Sequence, residues 1–497
     1  MTMLKKLGSA LLATLAFAGL ASAQKWQALK HEPSFPVGAI ALLSDGTVLL
    51  HEEQDSTPQK WYKLTPDDTG SYLNGTIKPI ASLPVINKVQ YGPFYFGSVV
   101  LPDGRYVIEG GEYNNNCQGG CWTNLGAIYD PVKNKWTPVT PPAGWSTIGD
   151  AQSVILPTTA GTYMQANCCS IQMALFNPKT LKWTATGQGK ADWNDEEGWT
   201  LLPDGNVLTV DAYVNSGTGK NNSEIYNTAK GTWSSAGSTP VQLWGSSTHE
   251  VGPAVLMPNG TVFATGANDS GAGHTAIYNT KTQKWSTGPS FPTVKGVSNL
   301  DAADAPGALE INGNAIVMTS PGYGGTGAVF FEWNGSKLTQ VPGPPNGPTD
   351  SSFYGHFLVL PTGELLFSDF SNDLELFTSK GTYKAAWAPT ITSVPTTLTH
   401  GKSYVVKGTQ FGGESLGGVY GDDFQDATNW ALVRITNAAS KHVVYAKTTF
   451  PSSYSVQSGS KAESTNFAVP ASIETGASTL EVVTNGIPSA PVDVTVN

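Results

Sequence analysis

Residues 97–111 read GSVVLPDGRYVIEGG, and this pattern recurs along most of the chain. The apolar run at 99–101 meets Pro102, Asp103 and Gly104, and a second apolar run follows at 106–108. Pro, Asp and Gly form tight turns, so two short apolar runs around them predict a hairpin of two buried strands.

The hairpin occurs seven times in all, with turns spaced 46 to 58 residues apart, at Ser44, Pro102, Pro157, Pro203, Pro258, Asn312 and Pro361. Seven copies at this period indicate an all-β chain that forms a seven-bladed kelch-type β-propeller. Between hairpins, an aromatic-centred run is followed by a tryptophan, as at Tyr129 and Trp136, which predicts two outer strands per blade. We assign residues 24–387 to the propeller and expect residues 26–30 to supply the outer strand of the last blade.

A second domain follows at residues 390–497, where no further hairpin of this kind occurs but apolar and polar residues alternate. This pattern predicts an immunoglobulin-like β-sandwich. Its long loop, residues 412–429, contains Tyr420-Gly421-Asp422-Asp423 and is expected to be functional or to contact the other domain.

Residues 1–23 combine Lys5 and Lys6 with an apolar stretch and the ending Ala21-Ser22-Ala23, which is typical of a signal peptide. We therefore expect a secreted, monomeric protein, extracellular or periplasmic, without a membrane span. The net charge of −10 argues against nucleic-acid binding.

Four cysteines, Cys117, Cys121, Cys168 and Cys169, lie after the signal segment. In an oxidising compartment we expect them to form disulfides, with three possible connectivities. Zinc binding by the Cys117 and Cys121 pair is the alternative.

We label the four strands of a blade a to d from the central channel outward, so that each hairpin supplies strands a and b. Propeller topology then predicts where polar residues collect, because the start of strand a and the end of strand b lie on one face of the ring. Seventeen of the 38 acidic residues fall at these positions. They are Asp150, Asp192, Asp195, Glu196, Glu197, Glu250, Asp301, Asp304, Glu52, Glu53, Asp55, Glu109, Glu112, Asp211, Asp269, Asp369 and Asp373. Such crowding favours a bound cation such as Ca²⁺, a proton-sharing acid/base pair, or solvated loops.

Other residues on this face suggest ligand contacts. His249 and His356 enter inner strands and His51 leaves one, so each is a candidate metal ligand or acid/base group. Trp193, Trp199 and Trp244 suit stacking on sugar rings. Asp195 and Glu250 are the candidate carboxylate pair for a lyase or hydrolase.

The combined pattern resembles secreted galactose-oxidase-like proteins, a kelch propeller followed by an immunoglobulin-like domain. The resemblance is carried by the hairpins, by residues 431–434 (ALVR), by His442 and by residues 485–491 (NGIPSAP). It implies copper bound by Tyr354, His356 and His442, with Tyr95 nearby. The family also links its tyrosine to a cysteine, whereas all four cysteines here lie in loops between strands b and c.

Three functions follow as hypotheses. The first is a propeller that binds or acts on an extracellular glycan or polyol at an acidic channel mouth, with metal assistance. The second is a copper-dependent carbohydrate or alcohol oxidase, and the third is a structural cell-surface or matrix protein. The cofactor is left open between copper and calcium.

Overall fold

The computed structural model describes residues 24–497 except 55, 116, 118–120, 159–160, 213–220 and 422–425. The first part of the chain forms seven antiparallel sheets arranged as the blades of a propeller, six of four strands and one, blade 6, extended to six, which confirms the predicted fold class. In each blade, strands a to d run outward from the central channel. Short apolar runs become strands a and b because both of their faces are buried between neighbouring blades.

The strands of blades 1 to 4 follow the chain in the order a, b, c, d. Blade 1 contains Val37–Leu42, Val48–Glu52, Trp61–Thr65 and Thr76–Pro79. Blade 2 contains Gly97–Val100, Tyr106–Glu109, Gly126–Asp130 and Lys135–Val139. Blade 3 contains Ser153–Leu156, Thr162–Ala166, Met173–Asn177 and Lys182–Thr186. Blade 4 contains Thr200–Leu201, Val207–Val210, Asn222–Asn227 and Thr232–Ser238.

The remaining blades have the same order. Blade 5 contains Val251–Leu256, Thr261–Gly266, Thr275–Asn279 and Lys284–Thr287. Blade 6 contains Gly307–Leu309, Ala315–Pro321, Val329–Trp333 and Leu338–Val341, and Leu300–Asp301 also pairs with its strand b. Blade 7 contains His356–Val359, Leu365–Ser368 and Glu375–Thr378 as strands a, b and c. Short strands outside the blades are Val85–Ile86, Val89–Gln90, Pro93–Phe94 and Tyr113–Asn114, and 3₁₀ turns lie at Gly347–Thr349, Ser352–Tyr354 and Ala385–Trp387.

The ring closes through the first described strand. Lys25–Ala28 pairs antiparallel with Glu375–Thr378, placing Trp26 opposite Phe377, and so forms strand d of blade 7. Trp26 packs on Phe330, Phe367 and Phe377 at centroid distances of 5.4, 5.4 and 4.8 Å. Closure by the two ends of one domain removes the exposed edge that an open ring would leave.

The C-terminal domain is a curled antiparallel sheet around its own apolar core, which includes Val406, Val433 and Leu480. Its strands are, in spatial order, Thr390–Ser393, Ser403–Thr409, Glu463–Ala468, Val443–Thr449, Leu432–Asn437, Gly476–Thr484, Val492–Val496 and Thr397–Leu398. The last two of these strands pair in parallel, and Ile487–Pro488 pairs with Gly476–Thr484. We expected a β-sandwich. In the structure its strands are joined edge to edge into one continuous sheet that curls around the core.

This domain packs on the face of the propeller that carries the a–b turns. Thr448 donates its backbone N–H to the Ser44 carbonyl of blade 1 at 3.0 Å, and the Gln457 side-chain amide donates to Met257 of blade 5 at 2.8 Å. The opposite face, where strands a begin, is the one that collects the predicted polar residues.

The loop at residues 412–429 leaves the C-terminal domain and enters the propeller. Its strand Gly418–Val419 pairs antiparallel with Gly307 and Ala308, so blade 6 gains a strand inside strand a. Beyond this strand, Tyr420 is buried and its hydroxyl donates to the Phe353 carbonyl at 2.8 Å. The expectation that this loop contacts the other domain is therefore confirmed, whereas Asp422 and Asp423 lie outside the described residues.

Candidate functional site

Three acidic side chains converge at the channel mouth, the end of the channel where strands a begin. Glu196, Glu250 and Asp304 lie in the segments that lead into strand a of blades 4, 5 and 6, and ligand oxygens of all three lie within 4.8 Å of one another. We call these residues the mouth carboxylates. Glu250 is buried, and the other two are partly exposed. Topology alone predicted that they would share a face, and the structure brings them into one cluster.

A backbone feature repeats beside this cluster. Glu196 and Asp304 have φ values of 55° and 47°, and His249 and Tyr95, which precede strand a of blades 5 and 2, have values of 67° and 51°. A left-handed conformation is uncommon for residues other than glycine, and it concentrates at functional sites. A residue in the left-handed conformation therefore precedes strand a in four blades, 2, 4, 5 and 6.

Burial and the acidic residues of the mouth raise the pKa values of two nearby tyrosines, Tyr323 and Tyr113. Burial and then Asp304, Glu250, Glu196 and Glu112 raise the pKa of Tyr323 above its ordinary value. The Tyr323 side chain is 50% exposed, and its ring stacks on Phe353 at 5.5 Å.

Tyr113 lies at the other side of this acidic region. Burial raises its pKa, and Glu112, Asp150 and Glu196 add to the shift. The mouth therefore carries negative charge contributed by five of the blades, 2 to 6.

A buried ionic network lies beside the mouth in blade 4. Lys190 Nζ is 2.8 Å from Glu197 Oε1 and 2.6 Å from Glu224 Oε2, and all three side chains are almost fully buried. Ligand oxygens of Asp192, Glu197 and Asp211 lie within 4.8 Å of one another. The sequence analysis did not identify Lys190 or Glu224, although Glu224 is the one charged residue in the strand Asn222–Asn227, which was the available signal.

Opposing effects set the protonation of this network. Burial disfavours the charge on Lys190, but Glu197, Asp211 and Glu224 outweigh it and raise the pKa of the ammonium. Burial also raises the pKa of Glu197 despite the nearby Lys190. Lys190 therefore stays charged and serves as the internal cation of the network.

The cysteines form disulfides, as predicted, and the structure selects one of the three connectivities. Cys117 pairs with Cys121, and Cys168 pairs with its neighbour Cys169. Cys117 and Cys121 are therefore joined by a covalent bond and do not form the zinc-binding pair considered as the alternative. Cys169 Sγ lies 3.1 Å from Asp195 Oδ1, so this predicted catalytic carboxylate contacts the second disulfide.

Tyr95, Tyr354 and His356 gather around one phenyl ring. Their ring centroids lie 6.5, 5.3 and 6.0 Å from that of Phe370. His356 is buried and stacks on Tyr420 from the inserted loop at 5.0 Å. Burial, followed by the charge of His51, lowers the pKa of His356 to about 3, so the imidazole is neutral at physiological pH.

The prediction that His442 joins His356 is wrong. His442 is 45% exposed in the hairpin between Leu432–Asn437 and Val443–Thr449, where Nδ1 lies 2.8 Å from Glu474 Oε1. The next residue, Val443, donates to the Asp68 carbonyl at the c–d turn of blade 1, on the turn face. The loop that reaches His356 comes from residues 412–429 and presents Tyr420 instead.

The other histidines have local roles. His51 is fully buried; its Nε2 donates to the Pro58 carbonyl at 2.7 Å and its Nδ1 lies 3.2 Å from Glu53. His249 is half-buried next to Glu250, and burial lowers its pKa below the ordinary value. Of these two, His249 is the one beside the mouth carboxylates.

Trp199 is not a stacking surface. Its side chain is only 1% exposed and packs in the core, with its ring 6.0 Å from Trp233. Trp193 and Trp244 are half-buried, and the backbone N–H of Trp193 donates to Asp192 at 2.9 Å. Trp199 directly precedes strand a of blade 4, where side chains are tightly packed, so its ring points between blades.

Comparison with solved structures bears on the fold. The chain is similar to a fungal alcohol oxidase of the AA5 family solved in complex with copper, with a TM-score of 0.50, 13% identity, and coverage of 96% of this chain and 100% of that chain. It is also similar to the structure of YjhT, with a TM-score of 0.42, 12% identity, and coverage of 63% and 99%. The sequence matches no protein-family profile and no curated protein. The likeness to the oxidase confirms the galactose-oxidase-like fold. At 13% identity it shows the fold alone and not the reaction that the oxidase catalyses.

The donor chemistry of this chain does not fit a copper site of the kind that the resemblance implies. Copper prefers imidazole and thiolate ligands. Within the described residues, the clusters of three or more metal-binding side chains contain carboxylates and disulfide cysteines but no histidine. Phe370 packs against Tyr95, Tyr354 and His356, and His442 belongs to the opposite face. The mouth offers oxygen ligands, which hard cations prefer.

Proposed function

We propose that this protein binds extracellular carbohydrate or a similar polyol at the channel mouth, through a Ca²⁺-type cation held by the mouth carboxylates. The observation that carries the proposal is the convergence of Glu196, Glu250 and Asp304 within 4.8 Å. Three carboxylates supply the anionic oxygens that Ca²⁺ requires, and sugar hydroxyls complete a coordination shell of six to eight oxygens.

The rim of the mouth supplies a surface for the sugar ring. Tyr323 is half exposed, lies near the mouth carboxylates and is held in place by Phe353. An aromatic face beside a polar centre suits a pyranose, which has apolar C–H faces and polar edges.

The proposal includes export. The two disulfides are typical of an oxidising compartment. None of the helices in the described part of the chain has the length and apolar character that crossing a membrane requires.

A glycan array probed with the full chain, in excess CaCl₂ or in EDTA, tests this function. We expect retention on a subset of glycans in CaCl₂ and its loss in EDTA. The variant Glu250→Gln keeps the shape of the side chain but removes a charge, and it should lower retention at least about tenfold. Asp493→Asn, an exposed change in the C-terminal domain, is the matched control. Retention that is equal in EDTA, or equal for Glu250→Gln and the control, would contradict the proposal.

The copper oxidase alternative has a direct assay. After loading with Cu²⁺ and dialysis, we expect no stoichiometric copper and no peroxide release from carbohydrates or alcohols, since histidine ligands are not assembled at the mouth. Stoichiometric copper together with peroxide would replace the binding function with the oxidase.

A further inference from the structure

A mixed group of sulfur and oxygen atoms lies next to the mouth carboxylates. The Sγ atoms of Cys168 and Cys169 and a carboxylate oxygen of Asp195 all lie within 4.8 Å of one another. We call these three residues the Cys–Cys–Asp cluster. Asp195 directly precedes Glu196 in the chain, but its carboxylate contacts the disulfide. The glycan binding proposed above does not involve this cluster.

The spacing of its atoms fits a tetrahedral zinc ion once the disulfide is open. Asp195 Oδ1 lies 3.1 Å from Cys169 Sγ and 3.8 Å from Cys168 Sγ. A zinc ion with Zn–S bonds of about 2.3 Å and Zn–O bonds of about 2.0 Å holds a sulfur and an oxygen ligand about 3.5 Å apart. The two observed distances lie on either side of this value. The carboxylate is therefore already placed as a third ligand beside the two sulfur atoms.

Hydrogen bonds that do not involve sulfur hold this arrangement together. Asn194 is fully buried, and its backbone N–H donates to the Ser170 carbonyl at 2.8 Å. Its side-chain amide donates to the carbonyls of Ser170 and Gln172, at 2.7 and 3.0 Å. Because these contacts do not depend on the disulfide, we expect Asp195 to stay beside both cysteines in the reduced protein.

The cluster is open to solvent on one side. Cys168 is buried, whereas Cys169 and Asp195 are partly exposed. A reductant can therefore reach Cys169 Sγ, and a cation can enter beside Asp195. Three protein ligands leave the fourth tetrahedral position for water or a substrate atom, which is the arrangement of catalytic rather than structural zinc sites.

We propose that Cys168, Cys169 and Asp195 form a binding site for a zinc-type cation when the disulfide is reduced. A dithiol reductant breaks the S–S bond: two electrons and two protons pass to the cysteines, and the reductant becomes a disulfide. The cation then displaces the two thiol protons and is bound by two thiolates and the Asp195 carboxylate. Thiolates select zinc-type over calcium-type cations, so this site and the mouth carboxylates prefer different metals.

Cadmium binding to the reduced full chain tests this site, because thiolate-bound Cd²⁺ has an ultraviolet charge-transfer absorption that carboxylate-bound Cd²⁺ lacks. The protein carries Cys117→Ser/Cys121→Ser, which removes the other disulfide. A phosphine reduces it and is itself oxidised to the phosphine oxide with the oxygen of water. In excess CaCl₂, which occupies the mouth carboxylates, we expect one Cd²⁺ per reduced chain and no charge-transfer absorption from the oxidised chain. Zn²⁺ should displace the Cd²⁺ and abolish the absorption.

Asp195→Asn in the same background distinguishes this site from a plain pair of thiols. Changes to residues that only contact a metal ligand cost about 10–100-fold in affinity, so loss of the ligand charge should weaken Cd²⁺ binding at least about tenfold. Asp493→Asn, exposed in the C-terminal domain, is the matched control and should bind as tightly as the background.

If the Cys117→Ser/Cys121→Ser background does not fold, the two aspartate variants are compared in the otherwise unmodified, reduced chain. Equal Cd²⁺ affinity of Asp195→Asn and Asp493→Asn, or equal absorption of the oxidised and reduced protein, overturns the proposal. Neither result affects the glycan array, which uses the oxidised protein.

Discussion

Lys190 shows how a single residue decides whether a buried acidic cluster is stable. Its ammonium contacts Glu197 and Glu224 inside blade 4, and Asp211 Oδ1 lies 3.9 Å away. Replacing it with methionine keeps the volume but leaves buried carboxylates facing one another. Loss of one partner of a buried ion pair costs about 3–5 kcal/mol, so Lys190→Met should lower the free energy of unfolding by that amount.

Urea denaturation measures this effect. Lys230→Met is the control, because Lys230 is exposed at the c–d turn of the same blade. Equal stability of the two variants would show that the carboxylates of the network do not depend on Lys190.

His356 leads to a prediction about protonation. Burial lowers its pKa to about 3, whereas an unfolded histidine titrates near 6.5. The folded state therefore binds fewer protons than the unfolded state between these values, and its contribution to stability is lost as pH falls through this range. We expect the ¹⁵N shifts of His356 to stay constant from pH 8 to about pH 4.5 in the native protein and to titrate in urea. Titration near pH 6.5 in the native protein would contradict the buried, Tyr420-stacked geometry.

At the residue scale, topology predicted more of the site than side-chain type did. The rule that strand a begins at the mouth placed Glu196, Glu250 and Asp304 on one face among seventeen acidic residues, because strand order fixes which end of a blade a residue occupies. The choice of Trp199 as a stacking surface failed because a strand position does not tell whether a ring faces the channel or the next blade. Lys190 was missed because its partners come from distant positions in the sequence.

The inserted strand Gly418–Val419 is the element that links the two domains. A Cβ atom on Gly418 would lie 2.1 Å from the Phe357 carbonyl oxygen of blade 7, so no larger residue fits without backbone movement. Gly418→Ala should therefore displace the strand from Gly307–Leu309 and lower the thermal midpoint, by about 1 °C per kcal/mol lost in a chain of 497 residues.

Gly271→Ala is the matched change, since Gly271 has open space and its nearest atom is Asn268 Nδ2 at 3.4 Å. Hydrogen exchange should show faster exchange of the Leu309 amide, which donates to the Gly417 carbonyl, in the Gly418 variant only. Unchanged protection of Leu309 would mean that the inserted strand tolerates a side chain.

The sequence showed that this loop was long, but it did not show where the loop goes. Its strand has only two residues, too few to give a pattern of alternation. The pairing with Gly307–Leu309 depends on the three-dimensional closure of the ring. For the same reason His442, chosen by its position in the chain, lay on the turn face, while Tyr420 reached His356.

At the scale of the whole molecule, the two faces of the propeller have different surroundings. The C-terminal domain covers the a–b turns, and the acidic mouth lies on the opposite face. The seven hairpins, with their regular spacing, were sufficient to predict the ring. They were not sufficient to predict that Glu32 contacts blade 7, because Glu32 and its partner Leu374 are separated by the whole propeller in sequence.

Buried carboxylates at the junction that closes the ring make the stability of the whole molecule depend on pH. Burial raises the pKa of Glu375 to about 9, and it raises those of Glu32 and Asp350 to about 7. In the unfolded chain these groups titrate near 4. Between these values the folded state binds more protons than the unfolded state, so the stability that these groups contribute is full below about pH 4 and falls as pH rises towards 9.

Free energies of unfolding, measured by urea denaturation from pH 5 to 9, should therefore decline as pH rises. Other buried carboxylates, such as Asp301, whose burial raises its pKa to about 6, contribute a decline of the same sign. The difference between the unmodified protein and Glu375→Gln isolates the contribution of Glu375, and that variant should show a shallower decline. The control is Glu364→Gln, which changes a partly buried carboxylate on the turn face of the same blade and should keep the full decline. If the decline of Glu375→Gln matched that of the unmodified protein, the protonation of Glu375 would not govern the stability of the closed ring.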